Sequence, residues 1–125
     1  MTLLTFTPPP YGLGPQTRFE LSPVNGAPGL STLAGIDGEA RVFLLDAGVH
    51  LAEYRPIIPS FDLAELGAAA DGVRVLVVVN PSAEATTVNL AAPMLVAPHG
   101  RARQVILDGS VWSIRSPLAA LLANA

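Results

Sequence analysis

The sequence predicts a mainly β protein: a small antiparallel β-barrel-like or sandwich domain carrying one or two short helices. Three observations predict it. Twelve prolines and eleven glycines cut the 125 residues into short pieces, which suits strands joined by turns better than long helices. Several pieces alternate apolar with charged side chains or are rich in β-branched residues, as half-buried or buried strands are. Half of the residues are hydrophobic and only 14% are charged, the reverse of a composition that stays unfolded. A chain of this length fills one core, so residues 1–125 are expected to form one domain.

Each element has its own reason. Leu3–Thr7 reads as a first strand, halted by Pro8, Pro9 and Pro10, which fix φ and offer no ladder donor. The proline triplet is expected to be a stiff spacer rather than a polyproline ligand. In Thr17–Leu21 apolar and polar residues alternate, giving a strand with one wet face. Asn25, Gly26, Pro28 and Gly29 supply turn chemistry before a strand over Leu30–Ile36, and Asp37-Gly38 offers a tight hairpin turn into Arg41–Asp46. Ser60 and Asp62 are candidate helix caps, with Glu65 three residues after Asp62 as in a capping box, followed by an alanine-rich run to Gly72. Val73–Val79 is the strongest strand signal and is expected to lie centrally with both faces covered. Thr86–Leu90, Met94–Ala97 and Ala102–Leu107 follow as a meander. Ser116 and Pro117 read as the cap and first residue of a terminal helix with Leu118, Leu121 and Leu122 on one stripe.

Composition excludes several function classes. With no cysteine there are no disulfides, thiolate metal sites or cysteine nucleophiles. The net charge is −3 and the seven basic residues, all arginine, are scattered, so direct nucleic-acid binding is not expected. No uninterrupted apolar run reaches the roughly 18 to 20 residues of a membrane span. The first basic residue is Arg18, unlike a secretory signal, and a cytoplasmic location is expected. His50 and His99 are the two histidines, and neither has the i, i+4 partner of a helical zinc motif. Gly12-Leu13-Gly14 is followed at once by Pro15 and completes no phosphate loop, and Ser110, Ser113 and Ser116 lack a nucleophile-elbow pattern. No catalysis, metal or cofactor is expected. Tyr54 and Trp112 are the large aromatics to follow, Trp112 as core and Tyr54 as either core or interface anchor.

The order of several landmarks resembles the FliW family of flagellar assembly factors. They are Asn89-Leu90 and Pro93 followed by the Met94–Val96 strand, then Gln104-Val105-Ile106-Leu107. The strand ending in Asn80-Pro81 precedes them, and Phe6, Gly12-Leu13, Arg18–Leu21, Val42–Asp46 and Tyr54-Arg55-Pro56 lie upstream. The resemblance implies a cytoplasmic, barrel-like protein without catalytic duty that binds flagellin and the RNA-binding translational repressor CsrA, antagonising repression of flagellin synthesis. The readings left beside it are a non-catalytic β-barrel that binds a ligand and an oligomeric interaction domain. The family pattern places a further hairpin ahead of Phe6, and its lack here is expected to bare a strand edge, allowing a monomer or a weak homodimer. Asn89, Leu90, Pro93 and Gln104 are expected to shape turns and ladder. Glu53, Tyr54, Asp62 and Glu65 are the candidate protein-binding residues, an aromatic and several acids beside a proline-bounded loop.

Overall fold

The computed structural model describes residues 2–38 and 40–123. Nine strands run as β1 (Thr2–Phe6), β2 (Arg18–Pro23), β3 (Leu30–Gly35), β4 (Arg41–Asp46), β5 (Arg74–Asn80), β6 (Thr87–Val88), β7 (Met94–Val96), β8 (Arg101–Gln104) and β9 (Ser116–Pro117). Three short helices, α1 (Ala47–His50), α2 (Ser60–Leu66) and α3 (Leu118–Ala123), and a 3-10 turn at Ala70–Gly72 complete the fold. The order β4-β3-β2-β1-β8-β7-β5 closes on itself because β5 also pairs with β4. Seven strands thus form a barrel, and β6 and β9 extend from β5 as a short ribbon.

Each of the seven ring strands sends side chains inward. Leu4, Phe6, Phe19, Leu33, Leu44 and Met94 are at most 1% exposed, and Phe6 meets Phe19 edge-to-face at 5.4 Å, a favoured geometry for aromatic pairs. The alternation of β5 divides its residues between two cores. Leu76 and Val78 join the barrel interior, while Val77 and Val79 join an outer cluster with Leu45, Ala47, Leu51, Val88 and Leu90. The expected central strand with two covered faces is therefore present. A second outer cluster forms where Leu66 of α2 packs against Leu95, Ala97 and Val105.

Several expectations are corrected by the structure. The barrel is not wholly antiparallel, since β1 pairs in parallel with β8, Thr5 opposite Arg101 and Phe6 opposite Ala102. With β2 on its other flank, the Thr5–Phe6 end of β1 is paired on both sides, while Thr2–Leu4 pair with β2 alone. Among the described residues the short helices number three. At α2 the cap residue is Pro59, with no side-chain cap bond, so the expected capping box does not form. Asp62 instead reaches across to Arg103, and the helix is ended by Gly67 in the left-handed conformation, whose N–H bonds Leu63 and Ala64 carbonyls. Ser116 and Pro117 are a strand, not a helix start. Gly38 is not in the left-handed region that a tight Asp-Gly turn requires. Its want of a side chain makes room instead, because a Cβ there would lie 1.6 Å from the Gln16 amide nitrogen.

Candidate protein-binding surface

The loop after α1 and the loop after β8 meet around Tyr54 and Trp112. Asp46 caps α1 by accepting from the Gly48 N–H at 2.9 Å, and its other carboxylate oxygen holds Arg74. The chain then turns through Leu51, which is buried, and Tyr54 N donates to the Leu51 carbonyl. Tyr54 stacks edge-to-face on Trp112 with centroids 4.9 Å apart and donates its hydroxyl to the Leu90 carbonyl at 2.6 Å. Half-burial pushes the Tyr54 hydroxyl pKa up from its ordinary value, since the phenolate would lose hydration. The backbone N–H of Trp112 donates to the Asp108 carbonyl and the residue is half-buried, so it is neither a full core residue nor a free one.

Of three hollows that Trp112 lines, two lie beside the loop that carries Tyr54. One, of about 200 Å³, is lined by Leu51, Glu53, Tyr54, Leu90, Trp112 and Leu121 among others. The other, of about 330 Å³, is lined by Arg55, Ile57, Leu107, Asp108, Val111 and Trp112. Small-molecule sites usually enclose roughly 300–1,000 Å³, so the first is too small for such a ligand and the second is an open surface feature. Around them lie large apolar side chains that face outward: Ile57 is 91% exposed and Val111 66%. Contiguous exposed apolar surface of this kind marks interaction sites.

The candidate residues separate into two groups. Glu53 and Tyr54 line the first hollow. Asp62 and Glu65 stand on α2 against β8, where Asp62 accepts from Arg103 Nε at 2.6 Å and the Glu65 carbonyl accepts from Arg101. Arg103 also bonds the Thr7 carbonyl and lies 5.5 Å over the exposed Phe61 ring. The landmark residues make turns and bridges. Asn89 Oδ1 accepts from Ala91 N, Leu90 is buried beside Tyr54, and the Pro93 carbonyl accepts from Val105. Gln104 accepts from Tyr11 N through Oε1 and donates to the Ala92 carbonyl through Nε2. Ile57, Val111 and the exposed part of Trp112 were not singled out as contact residues from sequence, although apolar residues inside turn-rich loops are the signal that could have found them.

His50 Nε2 faces the Pro28 carbonyl of a distant loop, and His99 Nδ1 accepts from Arg101 N within its own turn. Among the described residues no three His, Cys, Asp or Glu side chains gather as a metal site, and no helix is long and apolar enough to cross a membrane.

The fold defines a small closed β-barrel with an apolar interior. Residues 1–118 match the model of the FliW protein family, and the chain belongs to that family. The crystal structure of the flagellar assembly factor FliW superposes with a TM-score of 0.82 over 93% of this chain and 84% of that one, at 19% identity. No curated protein matches the sequence significantly.

Proposed function

We propose that this protein is a flagellar assembly factor that binds flagellin and a CsrA-type RNA-binding repressor, antagonising repression of flagellin synthesis in the cytoplasm. The observation that carries the reading is the family match over residues 1–118. The filled barrel supports it, because a lumen packed with Leu, Phe and Met leaves no room for a carried ligand. The apolar loops around Trp112 support it too, since work done by the outer surface is work done on another macromolecule. Exchange between two partners then follows mass action: whichever is abundant and tightly held sets how much of the other stays free. A monomer suffices for this, and no cofactor enters.

The test is a pair of calorimetric titrations of the purified protein, one with flagellin and one with the repressor. Saturable binding to each is expected, with release of repressed messenger when the protein is added to a repressor–RNA complex. A protein that binds neither partner would remove the reading.

A further inference from the structure

Two features are left without a role by the barrel and its apolar loops: the polar hollow beside Arg115 and the turn that joins β2 to β3. The hollow offers a single cation with Asn80, Ser82 and Thr87, too little to hold an anion firmly. The turn carries reactive groups in its own residues. Val24, Asn25, Gly26 and Ala27 form it, closed by the Ala27 N–H donating to the Val24 carbonyl at 3.2 Å, with Gly26 at φ 78°. A positive φ at the third position is a type II turn, which asks for glycine there. Both Asn25 and Gly26 are exposed, and a Cβ added at Gly26 would meet nothing within 4 Å. The closing bond lies at the long end of the usual range and engages neither the Asn25 side chain nor the Gly26 N–H.

We propose that Asn25-Gly26 is a self-modification site, at which the asparagine deamidates through a cyclic imide to aspartate and isoaspartate. The Gly26 backbone nitrogen gives up its proton and attacks Asn25 Cγ; the new N–Cγ bond closes a five-membered ring, and the side-chain nitrogen leaves with the proton as ammonia. Water then opens the ring at either carbonyl. Opening at Cγ restores the main chain and leaves aspartate, whereas opening at the former backbone carbonyl routes the chain through the side chain as isoaspartate. The attack needs an unhindered neighbour and a peptide free to rotate toward the side chain, which glycine in an exposed turn supplies. The other asparagines of the described chain lack these conditions. Asn80 precedes Pro81, whose nitrogen has no proton to lose. Asn89 is held twice, because its Oδ1 accepts from Ala91 N at 3.0 Å and the N–H of buried Leu90 donates to the Ser113 carbonyl at 2.9 Å.

Either product adds a carboxylate to a chain of net charge −3. Isoaspartate also lengthens the main chain by one methylene at the turn, while the pairing of β2 with β3, from Phe19 opposite Gly35 to Pro23 opposite Ser31, holds the strands in register. The barrel therefore persists, and its altered turn becomes a substrate for the class of enzyme that methylates isoaspartyl carboxylates with S-adenosylmethionine.

The test is to hold the folded protein in warm, mildly alkaline buffer and to compare tryptic peptides before and after by mass spectrometry. Cleavage after arginine separates Phe19–Arg41, which holds Asn25, from Val75–Arg101, which holds Asn80 and Asn89. Phe19–Arg41 is expected to gain the mass by which an acid exceeds an amide, faster as pH rises, and to accept methyl groups from S-adenosylmethionine in the presence of an isoaspartate-specific methyltransferase. The intact protein should shift on anion exchange to the elution position of Asn25→Asp. Asn25→Gln, whose ring would need one more carbon, should stay unmodified. If Phe19–Arg41 keeps its amide in the folded protein while the same peptide free in solution converts, the turn protects its asparagine and the proposal is overturned. A mass gain confined to Val75–Arg101, or one equally large in Asn25→Gln, overturns it as well.

Discussion

Gln104 ties three segments with one side chain: the loop after β1 through Tyr11 N, the turn before β7 through the Ala92 carbonyl, and its own strand β8. Replacing it by alanine leaves both partners without a bond, and Gln104→Ala should cost about 1–2 kcal/mol in urea unfolding, the usual scale for stranded polar groups. Sequence marked Gln104 as a structural landmark, yet its partner Tyr11 lies 93 residues away and no local pattern points across such a gap. Tyr54 is the second informative residue. Its folded pKa is raised above the ordinary tyrosine value of 10.0 by burial, so the neutral hydroxyl is favoured in the fold. That stability is complete below the unfolded value and declines as pH climbs past it, because the unfolded chain then loses a proton the folded one keeps. Tyr54→Phe should therefore lower stability at pH 7 by about 1 kcal/mol through the lost bond to Leu90, and should flatten the alkaline decline seen by chemical denaturation above pH 10.

Strands were more legible than their junctions. Arg41–Asp46, read as the strand after the Asp37-Gly38 turn, is observed with those bounds; the valine run becomes β5, shifted by one residue. The strand expected over Thr86–Leu90 shortens to Thr87–Val88 because Asn89 folds its side chain onto Ala91 N and turns the backbone away. The single turn of α1 offers no period to detect, and only Asp46 two residues before Gly48 hints at its cap. At α2 local logic failed for a tertiary reason. An acid near a helix start reads as a cap, but Arg103 lies within 2.6 Å and claims it, with the two side chains 16% and 14% exposed. Asp62→Ala should cost about 1–2 kcal/mol, between the values for exposed and buried pairs. A double-mutant cycle with Arg103→Ala should return a coupling smaller than that, since the cost of stranding the Arg103 charge enters the Asp62→Ala value, while the Arg103 contacts to Thr7 and Phe61 cancel in the cycle.

At the scale of the molecule, a mainly β barrel was readable from punctuation and alternation, whereas the parallel seam was not, because β1 and β8 come from opposite ends of the chain. Interior and exterior should respond very differently to truncation. Phe19, wholly buried against Phe6, should cost about 3–5 kcal/mol as Phe19→Ala. Ile57→Ala, at an almost fully exposed site, should move stability by less than about 0.5 kcal/mol, both read from denaturant midpoints. The seam between β1 and β8 also has a consequence for synthesis. Thr5 and Phe6 are synthesised well before the segment they must zip to, Arg101 and Ala102, which follows only after β2 to β7 have been made. Until then the growing chain is a sheet with two open sides, and the parallel seam is the pairing that must wait for the later strands.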